Sequence, residues 1–150
     1  MTRRPSRATV KLRTVRKGDL TVFYEQQRDP VANSMAAFPA REHGAFMTHW
    51  HKIMRDPANA LKTILYGREV AGNVVSFMRG DTREIGYWLG KEFWGKGIAT
   101  EALSLFLRRV KSRPLYAGVY KHNIASIRVL EKCGFVMFRP EGEDFLLILS

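Results

Sequence analysis

Two glycines one residue apart, Gly95 and Gly97, stand directly before a run that reads as a helix, Ile98-Ala99-Thr100-Glu101-Ala102-Leu103. Glycine lets a backbone turn sharply and approach a ligand with no Cβ in the way. The first N–H groups of a helix have no partner within it, and its dipole favours negative charge there. The segment Trp94-Gly95-Lys96-Gly97-Ile98-Ala99-Thr100 is therefore a candidate anion cradle, and Lys96 adds a positive charge. A dinucleotide or a coenzyme pyrophosphate is the expected guest. The competing reading is a structural turn that binds nothing. A Rossmann site is excluded: its third glycine would fall on Thr100, and the next strand, Leu115 to Val119, ends without an acid. Gly67 and Gly72 also begin a phosphate-loop spacing, but Asn73 stands where that loop needs lysine.

Other chemically capable residues read more plainly. His43, His49 and His51 are not a metal pair, because helical neighbours two apart diverge. Surface positions, or the wall of a pocket, suit them. Cys133, the single cysteine, excludes an internal disulfide and a cysteine-based zinc site, and reads as a small buried residue. Phe46 and Trp50 read as core.

These residues need a folded frame, and the composition supplies one. The 150 residues make one domain, 1–150, and 45% are hydrophobic, which excludes wholesale disorder. Lys and Arg number 25 against 14 Asp and Glu, a net +11 that calls for an anionic partner. The longest uncharged stretch, Pro30 to Ala40, is 11 residues, too short for a membrane helix. Cytoplasmic residence is the default expectation. Arg3, Arg4, Arg7, Lys11, Arg13, Arg16 and Lys17 precede the first acid, so 1–7 is expected to be a flexible basic tail.

Periodicity then places the elements. Ala8 to Val15 alternates as a strand. Asp19 is a candidate helix N-cap, and Asp29-Pro30 a candidate helix end, with Val31 to Ala40 as loop. Arg41 to Arg55 carries apolar residues at helical spacing. Leu61 to Tyr66, Val70 to Met78 and Glu84 to Leu89 form a meander whose turns are Gly67-Arg68 and Gly80-Asp81. The cradle and a helix through Val110 come next, then a strand from Pro114 to Val119. Asn123 caps a last helix that Gly134 stops, and Phe135–Phe138 and Phe145–Leu149 close a hairpin. The order predicts an α/β (α+β) fold: a mixed sheet of about seven strands flanked by about four helices.

The stretch Glu84-Ile85-Gly86-Tyr87-Trp88-Leu89, the Trp94–Ala99 loop, Asn123-Ile124-Ala125-Ser126 and Leu130-Glu131-Lys132-Cys133-Gly134-Phe135 together resemble the GNAT superfamily of acetyl-coenzyme A-dependent N-acetyltransferases. The nearest likeness is the branch with the ribosomal-protein N-terminal (Rim-type) acetyltransferases. It is specific from about Thr82 to Phe138. The family's Gln/Arg-x-x-Gly-x-Gly/Ala signature falls on Trp94 to Ala99, and Trp94 departs from it, losing a polar side chain but no backbone donor.

The resemblance implies a mostly antiparallel sheet splayed between its fourth and fifth strands, Glu84 to Leu89 and Leu115 to Val119. Coenzyme A would pair with the backbone of Tyr87, Trp88 and Leu89. It would lay its pyrophosphate on the amides of Gly95, Lys96, Gly97, Ile98, Ala99 and Thr100, and meet Asn123 and Ser126. It also implies acetyl transfer from acetyl-CoA to a primary amine, a small molecule or a protein N-terminus, by direct attack through a tetrahedral intermediate and without a metal. Glu84 is the candidate general base, and a surface carboxylate paired with Arg83 is its alternative; strand register decides. Many members protonate the leaving thiolate with a tyrosine, but Leu130 stands at that place, so Ser126 is the substitute donor. Tyr120 and His122 are further options, and Phe38 would line the acceptor wall. Two other readings stay open: a non-catalytic coenzyme A-binding or regulatory module, and a nucleic-acid binder using its basic N-terminal stretch, with ribosome contact compatible with the first reading. The chain would act as monomer or homodimer.

Overall fold

Alternating burial makes β1 (Val10–Thr14) a strand with one covered face: Val10 and Leu12 turn inward and Lys11 turns out. The computed structural model describes residues 7–150. After β1 come α1 (Asp19–Gln26), α2 (Pro30–Ala36) and α3 (His43–Arg55). The meander β2 (Ala60–Tyr66), β3 (Glu69–Arg79) and β4 (Thr82–Leu89) is next. A short 3₁₀ turn, Lys91–Phe93, leads through the glycine loop into α4 (Ile98–Arg109). The chain ends with β5 (Leu115–Tyr120), α5 (Ile124–Lys132), β6 (Val136–Glu141) and β7 (Asp144–Leu149).

The seven strands form one sheet in the order β1-β2-β3-β4-β5-β7-β6, antiparallel everywhere except between β4 and β5. This is the mixed, mostly antiparallel sheet the sequence predicts. On one face, Leu20 and Phe23 of α1 meet Phe46 and Trp50 of α3. On the other, Ile98, Ala102, Leu103 and Phe106 of α4 and Leu130 of α5 pack with Ile64, Val74 and Leu115 of the sheet. Phe46 and Trp50 are buried, as their spacing implies. Between β3 and β4 the backbones come so close at Gly72 that a Cβ there would collide with the carbonyl oxygen of Trp88.

Two local expectations are corrected. Pro30 opens a helix rather than ending one. Its fixed φ suits the first helical position, and Asp29 caps the end by accepting from Val31 N at 2.8 Å and Ala32 N at 3.3 Å. Most of the expected loop Val31 to Ala40 is therefore α2, and the helices number five among the described residues. Asp19 is not the cap of α1 but its first residue, with Gly18 in the capping position. Of the expected tail, residues 1–6 lie outside the described residues. Arg7 donates to the carbonyl oxygen of Lys96 at 2.9 Å and pairs with Glu101 at 3.2 Å.

The Asp19 carboxylate ties three elements together. It accepts from both Arg13 Nη atoms at 2.7 and 2.9 Å, from Arg16 N at 2.9 Å and from the Thr63 hydroxyl at 2.7 Å. Burial alone would raise its pKa, but the hydrogen bonds from Arg13, Arg16 and Thr63 outweigh it and hold the group at about 2. A lowered folded-state pKa stabilises the fold above the unfolded value, and that stability drains away as pH falls towards 2. Asp19→Asn should therefore cost about 2 kcal/mol at neutral pH. Urea titrations from pH 7 to 2 should show the gap to wild type closing as the medium acidifies.

Candidate active site

Only two registers join β4 to β5, Arg83↔Leu115 and Glu84↔Tyr116. Beyond them Ile85–Leu89 and Ala117–Tyr120 separate, so the sheet is splayed where the resemblance implies. A cavity of about 1050 Å³ lies at this seam. Tyr87, Asn123, Ser126 and Leu130 line it on the α5 side; Phe38, Phe77, Glu84 and Trp88 line it on the side of α1 and α3. The opening thus communicates with both faces of the sheet.

Strand alternation shows what β4 offers. Gly90 N donates to Ala71 O at 2.8 Å. Antiparallel pairing alternates, so Trp88 and Gly86 also turn their backbone groups to β3, while Ile85, Tyr87 and Leu89 turn theirs towards the seam. The Trp94 indole N–H donates to Leu89 O at 3.0 Å, which occupies one of these groups and fixes the Trp94 ring against the protein. Trp88 serves differently. Its indole donates to Gln26 O at 3.2 Å, and its ring lies 6.2 Å from that of Phe38.

The glycine loop has the geometry its composition calls for. Gly95 and Gly97 both take φ of 75°, a left-handed turn that L side chains rarely adopt. Among the described residues, no acceptor takes the backbone N–H of Gly95, Lys96, Gly97, Ile98, Ala99 or Thr100; the first bond of α4 is Glu101 N to Gly97 O at 3.2 Å. Ile98 is 1% exposed and Ala99 packs on the core, so these two offer only their amides. Gly97 and Thr100 border a smaller groove with Ser104, Arg108 and Lys132. Lys96 Nζ stands 5.6 Å from the Tyr66 ring centroid.

Glu84 is 8% exposed, and its Oε2 is held by Arg79 Nε. The Arg83 alternative is corrected: Arg83 projects from the opposite face and donates to Ser76 Oγ at 3.0 Å. Glu84 Oε1 would lie 3.9 Å from a Cβ on Gly118, across the seam, and accepts no hydrogen bond from the described residues. The register therefore places one free carboxylate oxygen at the opening.

A glutamine the sequence did not single out braces the side of α1 and α3. Gln27, buried, accepts from Arg41 N at 2.8 Å and donates to Arg41 O at 3.1 Å, pinning the chain between α2 and α3. That chain carries Phe38. His49 lines the same side; burial, then the charges of Arg41 and Lys52, push its pKa below the usual value. On the α5 side, Asn123 caps the helix by accepting from Ser126 N at 3.3 Å. Ser126 Oγ lies 2.8 Å from the Tyr87 hydroxyl. Tyr120 lines the cavity, and His122 stacks edge-on against it at 5.2 Å. Cys133 is half-buried, donates to Thr100 O at 3.6 Å, and its thiol pKa is raised by burial.

Residues 9–136 match the family model described as acetyltransferase (GNAT) domain. The chain belongs to the GNAT acetyltransferase family. A Bacillus subtilis relative named "Probable N-acetyltransferase YjcK" is 47% identical over 58 residues, covering 36% of this chain and 32% of that protein. The chain thus matches about a third of that relative's length. A Thermus thermophilus acetyltransferase structure superposes with a TM-score of 0.80 at 18% identity, over 94% of this chain and 96% of that one. The Vibrio cholerae spermidine N-acetyltransferase, solved with CoA and spermine, gives 0.76 at 18% identity over 93% and 92%. These likenesses fix the GNAT fold. Among the described residues, no group of three or more His, Cys, Asp or Glu could hold a metal ion, and no helix is long and apolar enough to cross a membrane.

Two features of the candidate site escape a reading of this GNAT sequence. Gln27 is one polar letter inside a helix-to-loop passage, and nothing nearby announces its partner. The Tyr87 hydroxyl reaches Ser126 across 39 positions, which no local spacing signals. The unbonded loop amides lead to a direct check. Inorganic pyrophosphate should shift the amide resonances of Gly95 to Thr100 far more than that of Gly142, a glycine at a surface turn.

Proposed function

We propose that this protein is an N-acetyltransferase that moves an acetyl group from acetyl-CoA to a primary amine by direct attack. The β4–β5 seam carries this reading, because one opening there meets unpaired strand backbone, a carboxylate and a hydroxyl. Coenzyme A would lie against the seam-facing backbone of Tyr87 and Leu89, with its pyrophosphate on the amides from Gly95 to Thr100 and its arm beside Asn123 and Ser126. Its thioester supplies the activated acetyl group.

The protein's own groups have separable tasks. A seam-facing N–H of Tyr87 or Leu89 is a donor for the oxyanion that develops on the acyl carbonyl. Glu84 Oε1 accepts the proton the amine must lose, directly or through water. Arg79 holds the other oxygen and keeps the carboxylate aimed across the seam. The hydroxyl of Ser126 faces the leaving sulfur. The amine enters from the side of Phe38 and Trp88, where aromatic faces suit a cation before it is deprotonated. Cytoplasmic residence goes with this reading, since acetyl-CoA is a metabolite of cell interiors.

Calorimetry with CoA should give saturable binding, and an amine panel with acetyl-CoA should release free thiol from the purified protein. Glu84→Gln should lower kcat about a hundredfold and leave the KM for acetyl-CoA within about twofold. Binding without turnover on any amine would favour the non-catalytic module instead. The absence of binding heat at millimolar CoA would remove both readings.

A further inference from the structure

Glu84 accounts for the proton leaving the amine, but it does not orient the hydroxyl that must meet the sulfur. A serine hydroxyl rotates freely and carries one hydrogen and two acceptor lone pairs. Left alone, Ser126 could present either to the seam. The Tyr87 hydroxyl, 2.8 Å away, removes that choice. A phenol is the stronger donor of the two, so the shared hydrogen belongs to Tyr87 and Ser126 Oγ accepts it. The single hydrogen of Ser126 is then released for another acceptor. Asn123 fixes the other end by holding Ser126 N in the first turn of α5. Tyr87 itself comes from β4, so the pair spans the seam from the strand to the helix.

We propose that Tyr87 is a positioning residue that aims the Ser126 O–H at the departing thiolate of coenzyme A. The inference rests on the acetyltransferase reading and goes beyond it by naming the residue that orients the donor. Collapse of the tetrahedral adduct breaks the C–S bond and leaves its electron pair on sulfur. Ser126 donates a hydrogen bond to that sulfur and keeps its proton. The amine's proton leaves through Glu84 to solvent, and the thiolate is protonated from solvent on release. Tyr87 stays neutral throughout: burial pushes its pKa up to about 12. It is not an acid that gives up its proton; its contribution is direction.

A double-mutant cycle tests this. Tyr87→Phe removes the hydroxyl and keeps the ring. It should lower kcat about tenfold with the KM for acetyl-CoA within about twofold, and add almost nothing in a Ser126→Ala background. A hydroxyl with only a structural role would instead lower thermal stability and act equally in both backgrounds. Losses that multiply, or a Tyr87→Phe kcat equal to wild type, overturn the proposal while wild-type turnover keeps the acetyltransferase reading intact. Wild type that turns over no amine overturns both. If Tyr87→Phe does not fold, 3-fluorotyrosine at position 87 keeps ring and hydroxyl with a stronger donor. It should change kcat when Ser126 is present and not in Ser126→Ala, and an equal response in both backgrounds overturns the proposal.

Discussion

The fold turns on an unfinished seam. β4 and β5 are the one parallel pair in an otherwise antiparallel sheet, and they stay together for two registers only. Buried backbone N–H and C=O groups left without partners are costly, so a strand edge opened inside a protein demands something to satisfy it. The chain meets part of that demand internally, with the Trp94 indole on Leu89 O. In the proposed function the rest falls to coenzyme A, an extended guest that would act as another strand. The helix crossover that separates β4 from β5 also delivers the glycine loop to the same end of the seam. One topological feature therefore sets the wedge, the strand edge and the unbonded amides of the glycine loop together.

The two sides of the seam present different groups. Glu84, Gly86 and Trp88 alternate onto the face of α1 and α3, where Phe38 and Gln27 line the same cavity. Tyr87 alternates onto the face of α5 and finds Ser126. In the proposed mechanism, the period of two in a single strand thus sorts proton removal from leaving-group stabilisation, with the opening between them. A register slip of one residue would exchange the sides. The Asp19 cluster resists such a slip at a distance, because it locks α1 to β1 and β2 and α1 receives the Trp88 indole.

Much of this was legible in the sequence. The meander came from alternating β-branched runs broken by Gly67 and Gly80, and both turns are left-handed as glycine permits. The loop glycines, the Asn123 cap and the Gly134 stop were read from local chemistry that the fold does not override. What failed had a physical ambiguity. Asp-Pro both ends and begins helices, and at Asp29-Pro30 the carboxylate caps the helix on its C-terminal side. Asp19 has the composition of a cap, but Arg13 and Thr63 claim its oxygens. Glu84 has two arginines nearby in sequence, and only the pleat shows that Arg79 shares its face. Contacts such as Tyr87 with Ser126 arise from packing between distant elements, which spacing cannot encode.

Gly72 adds a constraint from behind the seam. Its missing side chain is what lets β3 press against the Trp88 carbonyl, so the outer wall of the opening is set by an atom that is not there. Any enlargement at that position would be passed through one peptide group into the seam-facing edge of β4. The dimensions of the entrance are governed from the opposite edge of β4 as well as by the residues that border it, and a single methyl group buried out of sight would be enough to remodel the doorway.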